Sequence, residues 1–66
     1  MRKGEKITVR SENGRGINCP IIDYTQTKLW VRLPTNVSLE LDYDAKRRLY
    51  VGRMAKIEFT ADPNES

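Results

Sequence analysis

The residues most able to take part in binding chemistry lie in the segment Lys28–Arg32. If this segment is a strand, Lys28, Trp30 and Arg32 project from one face, because alternate strand residues point to opposite sides. An indole can stack on a base or fill a pocket, and the two flanking cations can pair with phosphates or carboxylates. This spacing predicts a contact surface for an anionic or aromatic partner.

A second candidate contact site follows in the basic part of the chain between residues 44 and 56. Its candidate residues are Lys46, Arg47, Arg48, Tyr50 and Arg53. A run of three cations is usually a solvated turn, although a protruding basic loop can contact phosphate or an acidic partner. We predict that these five residues bind a partner together with Lys28, Trp30 and Arg32.

The residue types that common catalysis requires are scarce in this chain. Its 66 residues contain no histidine and one cysteine, Cys19. This composition lacks the usual general base near neutral pH, the histidine and cysteine set of a zinc site, and a thiol–base pair. Cys19 alternates with Ile17 and Ile21, which is typical of a small buried apolar residue. The sequence predicts no enzyme, no catalytic residue, no bound metal and no cofactor.

Length and charge limit the possibilities further. A chain of 66 residues forms one domain with a thin core, and its single cysteine cannot form an internal disulfide. Twelve basic and nine acidic side chains give a formal net charge of +3, which suits nucleic acid, an acidic protein surface or simple solubility. Neither a signal peptide nor a bilayer-spanning apolar run is visible, so we expect a cytoplasmic protein without membrane contact.

Alternation of apolar and polar residues predicts the strands that position these side chains. The expected strands cover residues 4–10, 17–24, 28–33, 37–43 and 55–59. Short strands with frequent turns indicate an all-β fold, a small five- to six-stranded antiparallel β-barrel of SH3-like architecture. We expect one barrel domain over residues 1–59 and a flexible C-terminal tail over residues 60–66.

Four points between the strands carry specific expectations. Asn13–Gly14 favours a tight hairpin turn, because this pair tolerates positive φ angles. Pro20 stands where the apolar parity of the second strand changes, which indicates a bulge or an edge position. Residues 44–48 could form a turn or one short helical turn capped by Asp44. Gly52 is expected to break the chain before the final strand.

Five segments together resemble a known family. They are Gly4–Val9, Ile21–Tyr24, Leu29–Pro34, Val51–Gly52 and Ala55–Phe59. Their apolar spacing, with a glycine and a proline, is similar to that of the small barrels of PilZ-type proteins, closest to the N-terminal barrel of YcgR-like flagellar brake proteins. The resemblance covers most of residues 4–59. The resemblance implies that this barrel makes interdomain or protein contacts, because the N-terminal barrel of that family lacks the cyclic-di-GMP site of ligand-binding PilZ domains.

Ligand-binding PilZ domains carry a signature for cyclic-di-GMP, which consists of an Arg-x-x-x-Arg arm and an Asp-x-Ser-x-x-Gly strand motif. Here Arg2 and Lys6 have the spacing of the arm, and the strand motif falls on Asp23, Thr25 and Lys28. A lysine lacks the planar fork of arginine, and a lysine in the place of glycine obstructs close approach of a ligand. The resemblance therefore implies at most a degenerate receptor for this dinucleotide.

These observations predict a non-enzymatic regulatory module that binds a macromolecule, above all a protein, through a basic and aromatic surface. A free-standing barrel of this size could be a phage or mobile-element factor that inhibits a host protein. The first alternative is a nucleic-acid-binding barrel, which would also use Arg10, and the second is the degenerate cyclic-di-GMP receptor. An open edge near Pro20 or at the final strand could also pair with a second copy and give a homodimer.

Overall fold

The computed structural model describes residues 2–63, which form six antiparallel strands and no helix. In chain order the strands are β1 (Lys6–Ser11), β2 (Gly16–Tyr24), β3 (Lys28–Arg32), β4 (Ser38–Asp44), β5 (Leu49–Met54) and β6 (Ile57–Ala61). Each strand pairs with the next one, and β6 pairs with β1, so the sheet closes into a barrel. The predicted small antiparallel β-barrel is confirmed.

The core is the set of side chains that point into the barrel. Alternate residues of each strand point inward, and the register brings these inward residues together across the sheet. Leu29 of β3 lies opposite Leu41 of β4, and Val31 lies opposite Leu39. The buried side chains are Ile7, Val9, Cys19, Ile21, Leu29, Val31, Leu33, Leu39, Leu41, Tyr50 and Ala61. Leu29, Val31 and Leu33, which alternate with the predicted contact residues Lys28, Trp30 and Arg32, therefore lie on the face that the barrel buries.

The β1–β2 and β3–β4 connections have the same backbone pattern. In each, the fourth residue donates its N–H to the carbonyl of the first, at 2.9 Å from Gly14 to Ser11 and at 2.9 Å from Asn36 to Leu33. The donor residue also has a positive φ, 89° for Gly14 and 69° for Asn36. Glycine and asparagine tolerate this region better than other residues. The predicted hairpin turn lies where we expected it, with the left-handed residue at Gly14.

Residues 45–48 form a turn between β4 and β5, which is one of the two predicted alternatives. The Asp44 carboxylate accepts hydrogen bonds from the N–H groups of Lys46 (3.0 Å) and Arg47 (3.3 Å). The N–H of Arg48 donates to the Asp44 carbonyl at 2.8 Å, and Arg48 then takes a φ of 57°. Asp44 thus has its predicted capping role, but the left-handed Arg48 ends the turn before a helix can form.

β2 contains its bulge at Ile22, two residues beyond the predicted position. The register with β3 skips Ile22, since its partner pairs are Ile21 with Val31 and Asp23 with Trp30. The extra residue changes which face the later side chains occupy, which explains the change of apolar parity. The predicted edge position at Pro20 is wrong, because β2 pairs with β1 on one side and β3 on the other.

The predicted break at Gly52 is also wrong, because Gly52 lies inside β5 and is buried. A Cβ atom at this position would lie 2.4 Å from the Glu40 carbonyl oxygen and 2.8 Å from Leu41 Cδ2. Only a residue without a side chain lets β5 come this close to β4. The glycine therefore marks a close approach of β5 to β4. β5 itself was not among the expected strands.

β6 begins and ends two residues later than the predicted final strand. Ala55 and Lys56 form the two-residue turn before it, with φ angles of 53° and 65°. Ala61 is 1% exposed and lies opposite Val9 of β1, so residues 60 and 61 belong to the barrel instead of a tail. The predicted open edge at the final strand is wrong, because β6 pairs on both sides. Residues 64–66 of the predicted tail lie outside the described residues.

The contact at Gly52 predicts a large effect of a single methyl group. We expect Gly52→Ala to lower the free energy of unfolding by about 2–4 kcal/mol, because backbone atoms of β4 would have to move. Gly16→Ala is the matched control, since its Cβ would meet only side-chain atoms of Thr8 and Arg10, at 3.3 Å. Urea unfolding measures both. A similar loss in the two variants would show that the β4–β5 contact is not special.

The β5–β6 turn predicts a gain in stability. A two-residue hairpin turn with positive φ at both positions favours Asn–Gly, whereas Ala55 and Lys56 both carry a Cβ. We expect the double change Ala55→Asn, Lys56→Gly to raise the free energy of unfolding by about 1 kcal/mol. Thermal unfolding gives the measurement. Unchanged or lower stability would mean that the present turn is not strained.

Candidate partner-binding surfaces

The structure divides the eight predicted partner-binding residues among four places. Three lie on the outer face of β3, three in the β4–β5 turn, one on the outer face of β5 and one inside the barrel. In that order they are Lys28, Trp30 and Arg32; Lys46, Arg47 and Arg48; Arg53; and Tyr50. The eight residues therefore do not form one continuous basic and aromatic patch.

The Trp30 face is the outer side of β2, β3 and β4 around Trp30. Trp30 is half-buried and lies opposite Asp23 of β2 on one side and Glu40 of β4 on the other. Directly opposite residues of antiparallel strands have Cβ atoms about 5 Å apart. The indole therefore lies between two carboxylates, which local sequence spacing around Trp30 did not reveal.

The cation next to Trp30 is also held by carboxylates. Lys28 Nζ lies 3.3 Å from Asp42 Oδ1 and 3.5 Å from Glu40 Oε1. The hydrogen bond that Lys28 donates to Asp42, and then the charges of Asp42 and Glu40, raise the pKa of Lys28. Exposed ion pairs of this kind contribute little to stability, but they orient the side chains and neutralise the cation. The Trp30 face thus carries both signs of charge.

Two further charges complete the Trp30 face. Lys3 Nζ lies 3.6 Å from Asp23 Oδ1, and the same oxygen accepts a hydrogen bond from the N–H of Tyr24 at 2.8 Å. Arg32 is exposed at the end of β3, and no carboxylate among residues 2–63 pairs with it. Only one of the two cations predicted beside Trp30 is therefore available to a partner.

The cations of the β4–β5 turn are not equivalent. Arg47 Nη1 lies 3.5 Å from Glu58 Oε1 of β6, so this guanidinium is tied to the barrel wall. Arg53 lies opposite the same glutamate across the β5–β6 pair. Lys46 and Arg48 are exposed on the turn itself. The turn therefore presents Lys46 and Arg48 to solvent. The ion pair of Arg47 with Glu58 holds the turn against the outer face of β6.

Tyr50 is placed in the core instead of on a contact surface. It is 8% exposed and points into the barrel, and its ring packs edge-on against Tyr43 at 5.1 Å between centroids. Tyr43 itself is 41% exposed. At this end of the barrel Tyr43, rather than Tyr50, is therefore accessible to a partner.

Five large apolar side chains are 39–43% exposed, and none of them was a predicted site residue. They are Ile17, Tyr24, Val37, Tyr43 and Ile57. All five alternate with outward-facing residues in the same way as the buried residues of their strands. They are nevertheless exposed because they lie at or next to strand ends, where the interior of the barrel opens to solvent. The two tyrosines lie at the end of the barrel with the β4–β5 turn, and the three aliphatic residues lie at the opposite end. Their inward parity was visible in the sequence, but the strand ends were not.

The residues of the two alternative functions also have definite positions. Arg10 lies on β1, opposite Gly16 of β2 and Thr60 of β6, so β2 lies between it and Trp30. Lys6 lies on β1 as well, opposite Pro20. The cations proposed for nucleic acid are therefore distributed around the barrel instead of forming one stripe.

Neither a metal site, a membrane-spanning helix nor a known relative gives a further indication of function. Among residues 2–63, no three acidic or cysteine side chains come together as a metal site. The same residues include no helix with the length and hydropathy needed to cross a membrane. Comparison with protein-family models, curated proteins and solved structures gave no match. The resemblance to PilZ-type barrels stays a prediction.

Cys19 predicts a loss of stability at alkaline pH. It is 0% exposed, and burial raises the pKa of its thiol, so the folded state keeps the proton longer than the unfolded state. The stability that this group contributes is present below the usual cysteine pKa of about 8.5 and is lost as pH rises through the folded pKa.

We expect the urea midpoint of the protein to fall as the pH rises above about 8.5, and to fall less in Cys19→Ala. Only the slope with pH is compared, because the alanine variant also loses about 1 kcal/mol of packing energy at every pH. Equal slopes in the two proteins would contradict a thiol that is protonated because it is buried.

Proposed function

We propose that this protein is a non-enzymatic regulatory module that binds another protein through the Trp30 face. One observation carries the proposal. A half-buried indole stands on the middle strand of a three-stranded surface, with a carboxylate opposite it on each neighbouring strand. Tryptophan is among the residues that contribute most to protein interfaces, especially at the centre of a surface with a polar rim.

The two carboxylates favour a protein partner over nucleic acid. A base stacked on Trp30 would bring its phosphates near Asp23 and Glu40, within the Debye length of about 8 Å at physiological salt. Like charges repel by about 1 kcal/mol at 4 Å in water, and by more where water is excluded. A protein surface can instead offer a cation to each carboxylate and an acid to Arg32, so it can match the mixed charges of this face.

The Trp30 face is also ordered before a partner arrives. β3 pairs with β4 along its whole length, from Lys28 opposite Asp42 to Arg32 opposite Ser38. The contacts of Lys28 with two carboxylates hold the rim of the face. A surface that is already ordered loses less conformational entropy on binding, which favours affinity.

The dimensions of the barrel fit an interface of ordinary size. Its two longest extents are 29 and 25 Å. The accessible surface of the protein is 4806 Å², so an interface of the ~800 Å² per partner found in a typical stable complex would cover about one sixth of it. A barrel bound in this way would regulate its partner by covering a surface of that size.

A capture experiment with matched variants tests this function. The full chain, immobilised, is exposed to nuclease-treated bacterial lysate, and Trp30→Ala is compared with Tyr43→Ala, which removes a similarly accessible ring from the end of the barrel. We expect the protein and Tyr43→Ala to retain the same polypeptide, and Trp30→Ala to retain at least about tenfold less of it, as for an interface hot spot. Circular dichroism checks that both variants are folded.

The charge reversal Glu40→Lys separates a protein partner from nucleic acid. It should weaken capture of the polypeptide, because one complementary charge is reversed. If the face binds nucleic acid instead, the same change should tighten binding of a single-stranded oligonucleotide, followed through Trp30 fluorescence. Tight, salt-sensitive oligonucleotide binding by the unmodified protein would contradict the proposal.

A further inference from the structure

The end of the barrel formed by the β1–β2, β3–β4 and β5–β6 connections, here the hairpin end, exposes aliphatic side chains. Ile17, Val37 and Ile57 are 39%, 43% and 40% exposed. Ile57 lies directly opposite Met54, and the Val37 carbonyl accepts a hydrogen bond from Leu33 N–H at 2.8 Å. Single exposed apolar residues are normal, but three at one end of a small barrel form a local surface.

This apolar surface is continuous with the core. Leu33 is 7% exposed, and Met54 and Phe59 are partly buried and packed against the core cluster. These three residues and the exposed aliphatic residues lie on the same inner side of their strands, and Met54 is the direct cross-strand neighbour of Ile57. A partner side chain that covers the hairpin end would therefore contact a well-packed base instead of isolated surface groups.

The rim of the hairpin end is basic. Four cations stand on it or next to it: Arg15, Arg32, Arg53 and Lys56. In the described part of the chain, the carboxylates at this end are Glu12 and Glu58, and Glu58 is already paired with Arg47. Among residues 2–63, none of the four cations has a carboxylate partner. A positive rim around an apolar centre fits an occupant that joins carboxylates to apolar side chains.

The β5–β6 turn holds one of these cations in a strained backbone. Lys56 has a φ of 65° and its neighbour Ala55 a φ of 53°. Such a conformation disfavours residues with a Cβ atom by about 1–2 kcal/mol each. Backbone strain of this kind is concentrated at functional sites. The turn presents the Lys56 ammonium group next to the apolar Ile57, where an Asn–Gly turn would present no charge.

A second copy of this chain, a nucleic acid and an anionic bilayer each fit the hairpin end less well than a protein segment does. Two copies that met through this end would bring like-charged rims together. A single-stranded nucleic acid would find no aromatic side chain to stack on among the exposed residues of this end. A uniformly anionic bilayer would meet Glu12 and Glu58 as well as the cations, whereas a protein segment can arrange its charges to match both signs.

We infer that the hairpin end is a docking site for a segment of another protein that combines apolar side chains with carboxylates. The site does not depend on Trp30, and it shares only Arg32, at the end of β3, with the Trp30 face. Ile17, Val37 and Ile57 supply the apolar contact, while Arg15 and Lys56 pair with the carboxylates of the segment.

Selection from a random dodecapeptide library displayed on phage tests this inference with the full chain as the target. We expect the enriched peptides to combine leucine, isoleucine or phenylalanine with aspartate or glutamate. The most enriched peptide, labelled with fluorescein, is then measured by anisotropy. Ile57→Ser and Lys56→Glu should each weaken its binding at least fivefold, and replacement of its carboxylates by amides should do the same.

Trp30→Ala is the control that separates this site from the proposed function, and it should leave peptide binding unchanged. Circular dichroism shows whether each variant is folded, and Lys56→Glu, at an exposed turn, tests the site without removing packed atoms. No enrichment, peptides without acidic and apolar residues, or binding insensitive to both substitutions would overturn the inference. So would Ile57-dependent dimerisation in sedimentation, or Ile57-dependent binding to vesicles of phosphatidylserine.

Discussion

The close approach of β5 to β4 at Gly52 is the contact on which the rest of the barrel depends. A Cβ atom at this position would lie 2.4 Å from the Glu40 carbonyl oxygen, so no other residue permits the approach without moving backbone. The contact also joins the fold to the candidate site, since Glu40 faces Gly52 with its carbonyl group and flanks Trp30 on the outer face. The contact of Gly52 with β4 therefore also helps to position the Trp30 face, which includes the outer side of β4.

The sequence predicted the parts of the fold that depend on local alternation. The inward faces of β3 and β4 follow directly from Leu29, Val31, Leu39 and Leu41, which the barrel buries. It did not predict β5, because a glycine that permits close contact between strands has the same local appearance as one that breaks a strand. The β5–β6 turn was missed for a related reason, since neither Ala55 nor Lys56 is a residue that left-handed turns favour.

The candidate site was harder to predict because its chemistry depends on register. Lys28 meets Glu40 and Asp42 only after β3 and β4 pair, so a segment that reads as cationic has mixed charge in the folded protein. Tyr50 illustrates the opposite case, in which a residue next to basic neighbours in sequence points into the core. The result is two candidate contact surfaces of different character, a mixed-charge flank around Trp30 and an apolar end with a basic rim, on a scaffold too small for a deep cavity.

Site-specific photo-crosslinking tests most directly whether the Trp30 face binds a protein. A photo-reactive residue at Ser38, on the outer side of β4 opposite Arg32, is compared with the same residue at Thr60 on β6, which lies on the opposite flank. We expect irradiation in bacterial lysate to attach one polypeptide at residue 38 and little or nothing at residue 60. Attachment of nucleic acid at residue 38, or equal attachment of protein at both positions, would contradict it.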